Sequence, residues 1–312
     1  MTLMDPVTIS RTFIEVAEVW VPEGDRLVLA SGAYGDHETF GEASQRESFA
    51  KGEGLPGKAW SDACPVVLKG FDGSYFKRTD AAKEAGLTSA VAIPVFAGAT
   101  LKAVLVVLCA DDATRNGAIE VWSEDAGTLS LCDGYFGAAT DFEAVSQTTT
   151  FQAGSGLPGG VWAARRPILM RDLGARYGFL RAETASPAGL KRGLGLPVPV
   201  PGGRVFVVTL LSAQATPIAR RFEVWDARSA RTGARETARL IDGICDRDGP
   251  LWDPDNAGNE RTATIWEGPI GRVLGTGVPV AETGAAALGY AMMVALPIHK
   301  DGELAHIVAW YC

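Results

Sequence analysis

The chain writes one block three times. Glu18-Val19-Trp20 returns 102 residues on as Glu120-Val121-Trp122, and after a further 103 as Glu223-Val224-Trp225. Gly54-Leu55-Pro56-Gly57 returns as Gly156-Leu157-Pro158-Gly159 and, altered, as Gly268-Pro269-Ile270-Gly271. Ala92-Ile93-Pro94-Val95 returns as Gly195-Leu196-Pro197-Val198 and as Ala295-Leu296-Pro297-Ile298. Such a period is longer than the ~20–50 residues of a solenoid unit. It matches a small domain, which commonly holds ~50–200 residues. Three copies use nearly all of the 312 residues, with boundaries at 1–112, 113–217 and 218–312.

The first copy shows the order of elements. Ile14 to Val21 is rich in β-branched and aromatic residues, Pro22-Glu23-Gly24-Asp25 is a turn, and Arg26 to Ala30 is the return strand of a hairpin. A polar stretch with Gly41 and Ser44 follows, then a strand-like Glu47 to Ala50. Pro56 suits a helix start, where its missing N–H is not needed, so Lys58 to Asp62 is expected to be helical. Pro65 to Leu68 is a short strand, Phe71 to Arg78 an aromatic loop, and Thr79 to Ala85 a helix stopped by Gly86. Thr88 to Phe96 and Leu101 to Cys109 are two long strands around Gly98. Hairpins at both ends with helices between them predict an α+β fold, each copy having a central antiparallel sheet flanked by short helices. The unbroken apolar run Val104-Leu105-Val106-Val107-Leu108 points to strands covered on both faces.

In Phe49-x-x-Gly52-x-Gly54-Leu55-Pro56-Gly57-x-x-Trp60, then Ala81-x-x-x-Ala85-Gly86-Leu87 and Ala90 to Val95, the chain resembles a GAF domain. The second copy carries the same resemblance through Phe151 to Trp162, Ala188-Gly189-Leu190 and Leu196-Pro197-Val198. It covers about 14–110 and 118–213 well, and about 222–312 more weakly. It implies three tandem GAF-like domains, each with a small-molecule pocket over its sheet, roofed by the segment between the Gly-rich turn and the last hairpin. It also implies dimerisation and control of an output domain. Three copies leave no stretch for such a domain, and the links between them are too short for a helical lever. A compact array of docked sheets is expected instead. The third copy is degenerate: Pro65 to Pro94 is 29 residues and Pro167 to Pro197 is 30, but Pro279 to Pro297 is 18, so the roof is missing there.

The roofs supply the candidate ligand-binding residues. These are Lys69, Phe71, Tyr75, Phe76 and Arg78 in the first copy, and Arg171, Tyr177, Phe179 and Arg181, with Asp172 beside them, in the second. An apolar hollow with one or two cations suits a small planar or anionic ligand, an arginine gripping its carboxylate or phosphate as a fork. In the competing reading the aromatics pin the roof to the sheet and the cations pair with neighbours such as Asp80 and Glu183. Trp20, Trp122 and Trp225 on first strands, and Trp60 and Trp162 beside helix starts, read as core.

Composition narrows the function classes. A net charge of −8, with no third basic enough to matter, argues against nucleic acid. The arginines of the middle copy, among them Arg165, Arg166 and Arg192, form either an anion-attracting patch or a solvated face. No apolar run reaches the ~18 residues of a membrane span, and the first residues lack the features of a secretory signal. A cytoplasmic location, with no membrane partner, is the expectation. Five cysteines without CxxC spacing exclude a disulfide framework or zinc ribbon as first readings. Cys109 and Cys312 share a place that Ser212 fills in the middle copy, so the position needs a small residue rather than a thiol. His37, His299 and His306 make no ligand set, so no metal or cofactor is expected. Cysteine clusters, bilin attachment residues and the cyclic-nucleotide pattern of GAF relatives are all absent.

These observations lead to a non-enzymatic sensor or adaptor of GAF type. Its first two copies would offer sites for a small metabolite, and it would signal through a separate output protein or through self-association as a homodimer. A purely structural interaction module, its pockets filled by its own side chains, is the alternative. An enzyme remains only if Cys64 is reactive and lies in a pocket.

Overall fold

The computed structural model describes residues 12–110, 114–174, 178–228, 236–253, 261–284 and 289–312. The first sheet is built from β1 (Val16–Glu23), β2 (Arg26–Ala33), β3 (Ser48–Ala50), β4 (Val66–Lys69), β5 (Leu87–Ala97) and β6 (Thr100–Ala110). Helices α1 (Glu38–Gln45), α2 (Gly54–Asp62) and α3 (Thr79–Glu84) interrupt these strands. The second sheet uses β7 (Asn116–Asp125), β8 (Thr128–Gly137), β9 (Thr150–Phe151), β10 (Ile168–Met170), β11 (Leu190–Pro199) and β12 (Val205–Ala213). Its helices are α4 (Thr140–Thr148), α5 (Gly156–Ala164) and α6 (Ala182–Ala185). The third uses β13 (Arg221–Asp226), β14 (Thr237–Cys245), β15 (Gly249–Pro250), β16 (Thr262–Thr264), β17 (Val280–Thr283), β18 (Met292–Lys300) and β19 (Glu303–Tyr311), with α7 (Gly268–Thr276).

All three sheets are curled and antiparallel. Their strand orders are equivalent: β3-β2-β1-β6-β5-β4, β9-β8-β7-β12-β11-β10 and β15-β14-β13-β19-β18-β17, with β16 added on β14. The fold is α+β. The structure adds α1 and α4, which the sequence pattern leaves as polar stretches; α1 buries only Phe40, Gly41 and Ser44, so no apolar stripe announces it. Among the described residues no helix is long and apolar enough to cross a membrane.

Each Glu-Val-Trp triplet splits between two cores. Successive side chains of a strand point to opposite faces. Val19, Val121 and Val224 accordingly enter one apolar cluster common to all three sheets. Trp20, Trp122 and Trp225 face three separate clusters, each shared with the helices of its own sheet. A β-bulge falls between the Val and the Trp in every copy. The same alternation explains the unbroken apolar runs. Leu105 and Val107 of β6 belong to the common core, while Val104, Val106 and Leu108 belong to the helix side. At ~1.5–3 kcal/mol for each large apolar side chain fully buried, the shared core holds the three sheets together as one body.

The prolines mark where the sheets meet. β4 pairs with β5 as far as Ala92, β10 with β11 as far as Gly195, and β17 with β18 as far as Ala295. Pro94, Pro197 and Pro297 each lie two residues beyond the last of these pairs, where a missing N–H leaves no ladder bond unmade. There β5, β11 and β18 approach one another in all three combinations. The Gly57, Gly159 and Gly271 positions are equally constrained. A Cβ would stand 2.1, 2.1 and 2.0 Å from the carbonyl oxygens of Ala50, Gln152 and Thr264. Only glycine lets the helix start lie against that backbone.

Candidate functional site

The acid of each Glu-Val-Trp triplet is buried and demands a partner. Glu18 and Arg78 form an ion pair of 2.5 Å, with side chains 0% and 2% exposed. Arg78 Nη1 also donates to Ser44 Oγ, which in turn donates to the Phe40 carbonyl of α1. Trp20 Nε1 donates to Glu18 Oε2 at 3.1 Å, and the Tyr34 hydroxyl donates to Oε1 at 3.3 Å. The guanidinium carbon lies 4.7 Å from the ring centre of Phe40, 5.2 Å from Phe76 and 5.3 Å from Trp20. Arg78 Nε and Nη2 have no hydrogen-bond partner, so those donors face the aromatic rings that attract a cation.

The second sheet repeats the acid, arginine, serine and indole of this constellation, with Thr209 supplying the carboxylate's other hydroxyl. Arg181 Nη1 donates to Glu120 and to Ser146 Oγ, and Nη2 donates to Glu120 Oε2 at 2.9 Å. Trp122 Nε1 and Thr209 Oγ1 complete the carboxylate's bonds at 3.1 and 2.7 Å. Phe142, Trp122 and Phe179 surround the guanidinium at 4.6, 5.1 and 5.3 Å. In the third sheet the buried acid, Glu223, keeps its indole bond to Trp225 Nε1 at 3.0 Å, but its cation comes from β13 itself. Arg221 Nε donates to it at 2.7 Å and the Tyr311 hydroxyl at 3.0 Å.

The other roof residues are placed as follows. Phe71 and Phe76 are buried and stacked, ring centres 4.0 Å apart. Phe179 is buried, its ring parallel to that of Phe142. Tyr75 is 41% exposed, with the Lys58 ammonium 6.0 Å from its ring centre. Asp172 accepts from the Gly174 amide. Tyr177 lies outside the described residues. The equivalent cations Lys69 and Arg171 join sheets rather than cover them. Lys69 pairs with Glu143 of α4 at 3.3 Å and Asp133 of β8 at 3.6 Å, and Arg171 with Asp242 of β14 at 2.6 Å. Among the described residues the third seam has no ion pair: the Tyr34 amide donates to Thr283 Oγ1 and the Ala281 amide to Ser31 Oγ. Arg78 and Arg181 thus pair with strand glutamates, not with Asp80 or Glu183.

Several residues escaped sequence reasoning. Glu18, Glu120, Ser44 and Ser146 were not singled out, although an acid two places before a tryptophan in three otherwise apolar strands is a signal. Trp60 and Trp162, read as core, are only half-buried at the rims of their clusters. Cys109 and Cys312 are buried, and Ser212 with them; burial pushes the Cys312 thiol up to about 12. Burial and the Asp62 carboxylate also push the half-buried Cys64 thiol up, which favours the unreactive form. Among the described residues no group of three or more His, Cys, Asp or Glu is placed to hold a metal ion.

No family profile matches the chain, and no curated protein does. Among solved structures the chain is similar to the GAF domain of A. aeolicus NLH2 in an inactive state, at 23% identity and a TM-score of 0.27. That likeness covers 32% of this chain, which spans 59% of the length of the solved one.

Proposed function

We propose that the chain is a non-enzymatic adaptor of three tandem GAF-like units, at 1–112, 113–217 and 218–312, that binds a partner protein and no metabolite over its sheets. One observation carries this reading. The roof cations of the first two units that would grip a ligand's anion, Arg78 and Arg181, are already neutralised by Glu18 and Glu120 of the same unit. An arginine held by a buried carboxylate and ringed by aromatics is a roof pin. The surface offered to a partner lies in the third unit, where Trp266 is 62% exposed and has a φ of +68°. Large aromatics of this kind are the usual anchors of protein interfaces.

Two measurements on the full chain test it. Amides of α3 and α6 should exchange hydrogen as slowly as those of the central strands, because the roofs are closed. Fast exchange there, slowed by a co-purifying small molecule, would restore a sensor with sites over its sheets. Wild-type and Trp266→Ala proteins used as bait in parallel should differ by a retained protein. Identical retained sets would remove the third unit as the docking surface.

A further inference from the structure

A cavity of about 330 Å³ lies away from all the roofs, between the tips of the three C-terminal hairpins. Phe96 and Gly98 reach it from the β5–β6 turn, Trp162 and Arg165 from the end of α5, and His299 and Lys300 from the end of β18. The β11–β12 hairpin closes the remaining side through Pro199, Arg204 and Phe206. All three sheets therefore contribute, and the cavity exists only because they are docked. Its volume is within the ~300–1,000 Å³ of small-molecule sites.

The lining has one chemical bias. Three cations, Arg165, Arg204 and Lys300, face it with a single acid, Asp301, in a chain whose net charge is −8. Among the described residues neither Arg165 nor Lys300 has an ion-pair partner. Arg165 is held at the C-terminus of α5 in the left-handed region, φ +50°, by the hydrogen bond its amide donates to the Val161 carbonyl. Arg204 is fixed from behind. Its Nη2 donates to the Asp62 and Ala63 carbonyls at 2.5 and 2.9 Å, and its guanidinium lies 5.2 Å from the Phe206 ring centre. His299, 7% exposed, also belongs to the wall. Trp162, half-buried at the rim of its own core, has its place explained by this cavity.

We propose that the cavity is a binding site for a small aromatic carboxylate. Its flat apolar body lies against Trp162 and Phe206, and its carboxylate on Arg165 and Lys300. The site is distinct from the places over the sheets, and a ligand here contacts the second and third units at once, so binding opposes their separation.

Indole-3-acetate is the probe, titrated into the full-length protein by calorimetry with ligand-detected NMR. One site per chain is expected, with affinity at least about tenfold above that of the neutral indole-3-acetamide, an electrostatic preference of about 1.4 kcal/mol. Arg165→Gln/Lys300→Gln should lose that preference, and Trp162→Ala should weaken both compounds. Arg165 and Lys300 are exposed, so an unchanged melting temperature verifies the double variant's fold. Equal binding of acid and amide would reduce the site to an apolar crevice. Competition by inorganic phosphate as strong as by the probe would reduce it to an anion patch. Unchanged affinity in both variants, or no saturable binding at millimolar probe, would overturn the proposal outright.

Discussion

Trp266 takes the backbone place of Gly52. The Gly52 amide donates to the Gly57 carbonyl at 2.8 Å, and the Trp266 amide donates to the Gly271 carbonyl at the same distance. Both residues have positive φ, +87° and +68°. Glycine adopts that region freely, whereas an L residue carries a cost of roughly 1–2 kcal/mol. The indole is mostly exposed and covers little beyond Gly275, where a Cβ would come within 2.8 Å of the ring. Trp266→Gly is therefore expected to leave stability unchanged, or to raise it by up to about 1 kcal/mol, as read from urea midpoints at fixed m. A loss above about 2 kcal/mol would make the indole a folding element and deprive it of its role as an anchor.

The roof pin has a different energetic signature. Replacing Glu18 with Gln keeps the shape of the side chain but leaves the Arg78 charge buried without a counter-charge. Breaking a buried pair in this way costs about 3–5 kcal/mol. Glu120→Gln should cost a similar amount in the second unit. Glu18→Leu/Arg78→Met, which removes both charges, should recover most of the loss, because neither partner is then left behind. Were Glu18→Gln neutral in chemical denaturation, the pair would not be holding the roof.

Much of this was readable in the sequence and part was not, for local reasons. The repeat, the hairpins and the Gly-Leu-Pro-Gly helix start were legible because each is a short-range pattern with its own steric cause. The Gly57 contact with the Ala50 carbonyl shows that cause. The α1 helix was not legible: it buries one small stretch, and its Ser44 is selected by a hydrogen bond to an arginine 34 positions on. Arg78 and Arg181 were legible as a matched pair. Their partners were not, since Glu18 is 60 residues from Arg78 and closer acids compete on paper. The roles of Lys69 and Arg171 at seams between sheets depend on how the units dock, which no single copy encodes.

Those seams give a charge-reversal test. Arg171 and Asp242 are each about a third exposed, so their pair contributes about 1 kcal/mol or less. Arg171→Asp sets two acids face to face and should lower stability by about 1 kcal/mol. Asp242→Arg added to it should restore part of the loss, with a coupling energy of about 0.5–1 kcal/mol in a double-mutant cycle. The recovery is expected to be incomplete, because Asp242 also accepts from the Gly243 amide at 2.8 Å. Zero coupling would show that the second and third sheets do not meet through this pair in solution.

His299 and His306 predict how the assembly responds to acid. Both imidazoles are buried on β18 and β19, and three of their ring nitrogens, His299 Nδ1 and both of His306, have no hydrogen-bond partner. Burial, helped by Lys102, lowers His299 to about 4. Burial, helped by Arg228, Arg166 and Lys300 and opposed by Asp226, lowers His306 to about 4. The unfolded chain, titrating near 6.5, thus binds protons that the folded chain refuses. Stability is full above about pH 6.5 and falls as the pH drops toward 4, by up to about 1.4 kcal/mol per pH unit for each histidine. Urea denaturation at pH 7.5, 6 and 5 should show this slope, and His306→Gln should flatten it over the same interval. A slope unchanged in that variant would place the acid sensitivity on other groups.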